Sequence, residues 1–169
     1  MNTTNTTQLR RSVRLSNKHI HPYVLCIIDM QPFGFNNSNL IIEPVLHLVR
    51  EAVVDKAFIV IAQFKRCSET HRTIVNEIQN YPYKEYVWHH KNDKSKPIQE
   101  ALNRHTIFVR QLNVCGVNTE YCVKATVHGL AKKFHGPIKV IEKACNGTDR
   151  AVETALHKMR TFYRNVEVV

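Results

Sequence analysis

Apolar residues in this chain fall into short unbroken runs, separated by longer stretches in which they recur at helical spacing. The run Tyr23-Val24-Leu25-Cys26-Ile27-Ile28 stops abruptly at Asp29, and Phe58-Ile59-Val60-Ile61-Ala62 repeats the form. Runs of this length without polar alternation read as strands buried on both faces of a parallel sheet. Between them Leu46, Val49, Val53 and Val54 mark a helix from about Leu40 to Val54. The alternation continues with a short strand near Tyr86 to Trp88, a helix near Pro97 to Asn103, and a strand within Thr106 to Cys115. Val123, Thr126, Val127, Leu130, Ala131 and Phe134 then predict a helix from Thr119 that Gly136-Pro137 ends. A strand at Ile138 to Ile141, a helix at Asp149 to Arg160 and an edge strand at Val166 to Val169 complete the series. Strands alternating with helices predict an α/β fold: three αβα layers around a doubly wound, six-stranded, mainly parallel sheet with right-handed crossovers. Residues 21–169 are expected to form one domain behind a polar, basic tail at residues 1–20.

Composition narrows the function classes. An apolar fraction of 43% over 169 residues suits one globular domain, and no run approaches the ~18 residues of a membrane span. Five cysteines, an odd number with no Cys-x-x-Cys, read as reduced thiols in a cytoplasmic setting. A formal net charge of +10 favours polyanions or acidic small molecules. Lys and Arg are spread along the chain, however, apart from Arg10, Arg11, Arg14 and Lys18 in the tail and a stretch from Lys84 to Lys96. With no nucleic-acid motif to frame them, they read as a solvated surface, and nucleic acid is not the expected partner.

In sheets of this kind ligands bind beyond the carboxyl ends of the strands. Three polar groups fall there: Asp29 after the first strand, His89-His90-Lys91 after the third, and Cys122 at the start of the helix after the fourth. With Thr119 as N-cap, Cys122 would sit at N3, where the positive helix end should make its thiol ionise more easily than a free one. Lys91 would favour the thiolate further, Asp29 could take the thiol proton, and the same helix start offers N–H donors to an oxyanion. Singly, each residue has an ordinary explanation: packing for the Cys, a cap for the Asp, solvation for the Lys. Their convergence argues for a site.

The stretch Cys115-Gly116-Val117-Asn118-Thr119-Glu120-Tyr121-Cys122-Val123-Lys124-Ala125-Thr126, together with Leu25-Cys26-Ile27-Ile28-Asp29-Met30-Gln31 and Ala144-Cys145, resembles the signature of the isochorismatase-like cysteine hydrolases, which include nicotinamidases and related amidases. The resemblance covers nearly the whole chain from Tyr23. It implies a Rossmann-like sheet carrying an Asp-Lys-Cys triad, with Asp29 and Cys122 placed directly by the motifs. Lys91 is taken as the third member because it follows a strand and precedes Ser95 and a short helix; Lys94 and Lys96 are the alternatives. The resemblance further implies a cis Val117–Asn118 bond in an oxyanion turn of Val117, Asn118 and Thr119.

Where nicotinamidases of this family carry an Asp-x-His metal motif, this chain has Gln63-Phe64-Lys65, with His71 the only imidazole nearby. Neither a metal nor another cofactor is expected. Short loops after Asp29 and between the second and third strands suggest a shallow pocket, or one completed by a neighbouring subunit in a homo-oligomer. Phe33, Trp88, His89 and His90 are the candidate pocket residues, and a basic rim of Lys84, Lys91, Lys94 and Lys96 would suit an anionic small molecule. The expected activity is cleavage of a C–N bond in a small amide or ureido compound through a thioester at Cys122. The alternatives are a catalytically silent binding scaffold and a thiol-independent vinyl ether hydrolase.

Overall fold

The computed structural model describes residues 20–32, 37–65, 67–148 and 150–169. In chain order the elements are β1 (Ile20–His21), β2 (Val24–Ile28), α1 (Ile42–Val54), β3 (Phe58–Phe64), α2 (Arg72–Glu77), β4 (Lys84–His89), α3 (Ser95–Arg104), β5 (Phe108–Val109), β6 (Leu112–Val117), α4 (Lys124–Ala131), β7 (Ile138–Asn146), α5 (Arg150–Phe162) and β8 (Val166–Val168). Six strands form one sheet in the order β4-β3-β2-β6-β7-β8, and every neighbouring pair is parallel. The chain winds outward from β2 to β4, crosses back, and winds outward again from β6 to β8. The winding direction therefore reverses between β2 and β6, and a crevice opens at their carboxyl ends.

The unbroken apolar runs are explained by two cores. All five residues of β2 are buried. Val24, Cys26 and Ile28 pack with Ile98, Val127, Leu130 and Met159 of α3, α4 and α5, whereas Leu25 and Ile27 pack with Val45, Val49 and Ile74 of α1 and α2. Alternate side chains of one strand thus serve opposite layers, so no position can be polar.

Several boundaries differ from the sequence expectation. Helix α2 escaped notice because it buries only Ile74 within an otherwise polar turn. The strand expected within Thr106 to Cys115 is two: β5 pairs with β1 in a separate two-stranded ladder, and β6 starts only at Leu112. Strand β7 runs nine residues, which places Ala144-Cys145 inside it rather than beyond it. Ile20 already pairs with Phe108; the basic residues of the tail lie outside the described residues. Among the described residues no helix is long and apolar enough to cross a membrane.

Gly116 marks the tightest approach at the switch point. It has φ +135°, and a Cβ there would lie 2.0 Å from the Ile28 carbonyl oxygen, one residue before Asp29. Backbone, not a flexible side chain, blocks the space. Gly116→Ala should therefore destabilise the protein by about 3 kcal/mol or more in urea denaturation, through combined steric and φ strain. A loss below about 1 kcal/mol, the ordinary effect of a point substitution, would mean that the two strands can part without cost.

Candidate active site

Asp29 leaves β2 in the left-handed region, φ 51°, with its N–H donating to the Ala62 carbonyl at 2.8 Å and its own carbonyl accepting from Gln31 at 2.7 Å. A non-glycine residue held there costs of order 1 kcal/mol or more, and such strain gathers at functional sites. The two residues that follow hold the turn. Met30 is wholly buried, and the Gln31 carboxamide accepts from the Phe64 N–H at 2.7 Å while donating to the carbonyls of Phe64, at 3.1 Å, and Ser68. The Asp-Met-Gln run is thus one device: an acid in the crevice, an apolar anchor, and an amide clamp on the exit of β3.

The lysine that meets Asp29 is Lys94, not Lys91. Lys94 Nζ lies 3.0 Å from Asp29 Oδ2, with the two side chains 0% and 4% exposed. It also donates to the Lys91 carbonyl at 2.9 Å and sits 4.8 Å from the centre of the Phe64 ring, a cation–π contact. Lys91 itself is exposed and contributes only that carbonyl; Lys96 is exposed and pairs with Glu100. Thr126, one turn beyond Cys122, explains the choice. Its hydroxyl accepts from the Lys94 N–H at 3.0 Å and donates to the Asn92 carbonyl at 3.3 Å, while Gly129 lets α4 close onto Asp93 and Ser95. In the sequence Thr126 read as part of an apolar helix face, so its polar task was missed.

Cys122 lies 4% exposed in a π-helical turn, Thr119–Val123, that leads into α4. The N-cap is Asn118, in the left-handed region at φ 57°; Thr119 instead donates its hydroxyl to the Asn146 carbonyl at 2.8 Å. The expected N3 geometry is therefore replaced by a wider turn. The expected cis bond is absent too, for no cis peptide occurs among the described residues, and Asn118 turns the chain through its positive φ alone. Glu120, also buried, accepts from the Thr148 N–H at 3.0 Å and from the Thr148 hydroxyl, tying this turn to the segment between β7 and α5.

Electrostatics overturn the expectation of a readily ionised thiol. Burial first, and then the charge and hydrogen bonding of Asp29, push the Cys122 thiol up to about 12, against the smaller pull of Lys94. Burial likewise raises the Asp29 carboxyl, opposed by Lys94 and by Cys122. The thiol is thus protonated at neutral pH, beside the Asp29 carboxyl. Asp29 Oδ1 is buried and makes no hydrogen bond of ordinary geometry among the described residues, and the Cys122 Sγ points at Asn92 Oδ1 at 3.7 Å. An unsatisfied buried carboxylate oxygen costs about 1–3 kcal/mol, so its persistence beside a thiol is a feature of the site and not of stability.

These groups face a cavity of about 360 Å³ lined by Asp29, Gln31, Phe64, Cys67, Asn92, Asn118, Tyr121 and Cys122. Trp88, His89 and His90 are not among its walls. Trp88 is exposed and stacks on Tyr86 along the edge strand β4, and the His89 and His90 rings meet each other at 4.9 Å. Phe33 lies outside the described residues. The basic rim does not assemble: Lys84 lies at the amino end of β4, away from the strands' carboxyl ends, where its ammonium donates to the Gln79 and Tyr81 carbonyls. Phe64, Asn92 and Tyr121 were not foreseen as pocket residues. Only Tyr121, inside the cysteine motif, carried a sequence signal.

In the region of the missing metal motif, Gln63 donates to Thr70 at 2.7 Å and His71 shares a hydrogen bond with Ser38 at 2.8 Å. Among the described residues no cluster of three or more His, Cys, Asp or Glu side chains could hold a metal ion.

No protein-family model and no curated protein matches the chain. Solved structures do match its fold. A nicotinamidase from Staphylococcus aureus superposes with a TM-score of 0.75 at 16% identity, covering 90% of this chain and 99% of that one. A MAR1 ribonuclease from Caenorhabditis elegans gives 0.70 at 15% identity, covering 88% and 77%, and an isochorismatase family protein gives 0.68 at 13%, covering 87% and 97%. The chain has the isochorismatase-like fold. In it the switch point between β2 and β6 carries Asp29 and Cys122, and the loop after β4 delivers Lys94 to them.

Removing one member of a buried ion pair leaves the other uncompensated. Lys94→Met should cost about 3 kcal/mol in urea denaturation, whereas Lys91→Ala should change stability by no more than about 0.5 kcal/mol. Equal effects would show that the two lysines share the position.

Proposed function

We propose that the protein is a cysteine hydrolase that cleaves a C–N bond in a small amide or ureido compound through a thioester at Cys122. The observation that carries this reading is the buried Asp29 carboxyl, whose Oδ1 makes no hydrogen bond of ordinary geometry among the described residues, set beside a thiol raised to about 12. A buried acceptor beside a buried, weakly acidic thiol is the arrangement a general base needs. As Cys122 Sγ attacks the carbonyl carbon, its proton passes to Asp29. The protonated Asp29 gives that proton to the departing nitrogen, and the C–N bond breaks. Water then adds to the thioester with Asp29 taking its proton, and the C–S bond breaks to return the thiol. Lys94 keeps Asp29 ionised at rest and stabilises it throughout, and the turn at Asn118 and Thr119 is placed to offer backbone donors to the oxyanion.

The arrangement trades stability for chemistry. A carboxyl raised in the folded state stabilises the fold below its unfolded pKa and costs stability once the pH rises above the folded value. Asp29 ionised above that value is such a cost, offset by Lys94.

Two variants check the mechanism together. Cys122→Ala should remove turnover of small amides with the circular dichroism spectrum unchanged. Asp29→Asn should also remove turnover, yet it should speed alkylation of Cys122 by iodoacetamide at pH 8, since the charge that raises the thiol is gone. Turnover that survives loss of the thiol would point instead to acid chemistry by Asp29 alone, as in vinyl ether cleavage.

A second reading rests on the net charge of +10 and on the ribonuclease named among the similar folds. In it the fold is a nucleic-acid-binding scaffold. Affinity for single-stranded RNA that falls steeply with salt and is unchanged in Cys122→Ala, in a protein without amidase turnover, would favour it.

A further inference from the structure

The six-stranded sheet ends in β4 on one side and β8 on the other, and the two edges are built differently. Strand β8 is three residues long and exposes Glu167, an ordinary way of keeping an edge from pairing. Strand β4 is six residues long and carries Tyr86 and Trp88 stacked at 6.2 Å, with Trp88, the chain's single tryptophan, 58% exposed. Its lysine does not guard the edge, because the Lys84 ammonium is held by the Gln79 and Tyr81 carbonyls. Neither aromatic ring lines the catalytic cavity, so the chemistry at Cys122 does not explain them.

The ladder shows which backbone groups of β4 point outward. The Ile59 N–H donates to the Tyr83 carbonyl and the Lys65 N–H to the His89 carbonyl, so the odd-numbered residues of β4 turn their peptide groups towards β3. In a parallel pair the residues between them turn theirs the other way. The N–H and C=O of Tyr86 and Trp88 therefore face outward, and among the described residues no hydrogen bond reaches them.

A strand added at this edge must bring outward groups to outward groups, and β4 itself does so. In an antiparallel pair of β4 strands centred on Val87, Tyr86 of each copy lies opposite the partner's Trp88, and the two exchange both N–H···O=C bonds. The two-fold axis repeats the pair, which lines one face of the junction with aromatic rings. On the other face Glu85 comes opposite the partner's His89, an acid against an imidazole, and the two Lys84 side chains lie at opposite ends of the contact. A foreign strand would have to supply the same aromatic and charge pattern, which β4 already contains in two-fold order.

We propose that β4 is a self-association edge, on which a second copy of this chain adds its own β4 antiparallel and joins the two sheets into one. The contact is at the small end of specific interfaces, so the dimer is reversible.

Sedimentation equilibrium of the full chain over rising concentration should show monomer in equilibrium with dimer. Trp88→Lys alters an exposed side chain and should raise the dissociation constant by about tenfold or more, as loss of an interface anchor does, with the circular dichroism spectrum unchanged. Amide exchange followed by NMR reports on the edge itself. As the wild-type protein dimerises, the amides of Tyr86 and Trp88 should become protected, while those of Glu85 and Val87, already bonded to β3, should not change. A monomer at every concentration would overturn the inference, and so would a dimer that leaves the Tyr86 and Trp88 amides unprotected. Protection of those amides in a monomer, seen only when an extended peptide is added, would also overturn it by giving the edge to a foreign strand.

Discussion

The ion pair between Asp29 and Lys94 is the constraint around which the site is arranged. Two charges almost wholly removed from water are held only if geometry compensates their desolvation, and here the compensation is explicit. Lys94 gives hydrogen bonds to the Asp29 carboxylate and to the Lys91 carbonyl, and lies against the face of Phe64. Asp29 is aimed by a left-handed turn that Met30 and Gln31 lock. The loop after β4 is pinned to α4 by Thr126, so the helix that carries the cysteine also fixes the lysine.

That arrangement decides the state of the Cys122 thiol. A helix N-terminus with a nearby ammonium would suggest a preformed thiolate. Burial and the adjacent carboxylate outweigh both, so the thiol is raised to about 12. Three further buried cysteines, Cys26, Cys115 and Cys145, are raised by burial as well, but none lines the cavity. A raised thiol pKa thus does not mark the site by itself. The unpartnered acceptor and the cavity do.

The chain's winding brings these groups together without long loops. Because β2 and β6 are neighbours on either side of the switch point, Asp29 and Cys122, more than ninety residues apart in sequence, leave adjacent strand ends. Gly116 permits that closeness, since only a residue without a side chain can pass so near the Ile28 carbonyl. Among the described residues the cavity walls carry one charged side chain, Asp29, which is paired with Lys94.

The sequence by itself determined the layers, the parallel sheet, and the positions of Asp29 and Cys122. Unbroken apolar runs can be satisfied only by burial on two faces, and a polar residue that ends such a run must lie at a strand's carboxyl edge. Tertiary structure alone decided between Lys91 and Lys94, because both follow the same strand and only the packing of Thr126 and Gly129 against the loop turns one inward. It also decided that Trp88, His89 and His90 lie off the cavity while Asn92 lines it. Exposure in a loop depends on contacts with distant elements, which leave no periodicity in the local sequence. The state of the thiol was decided there too, since a pKa answers to burial and to charges brought close by the fold, not to neighbours along the chain.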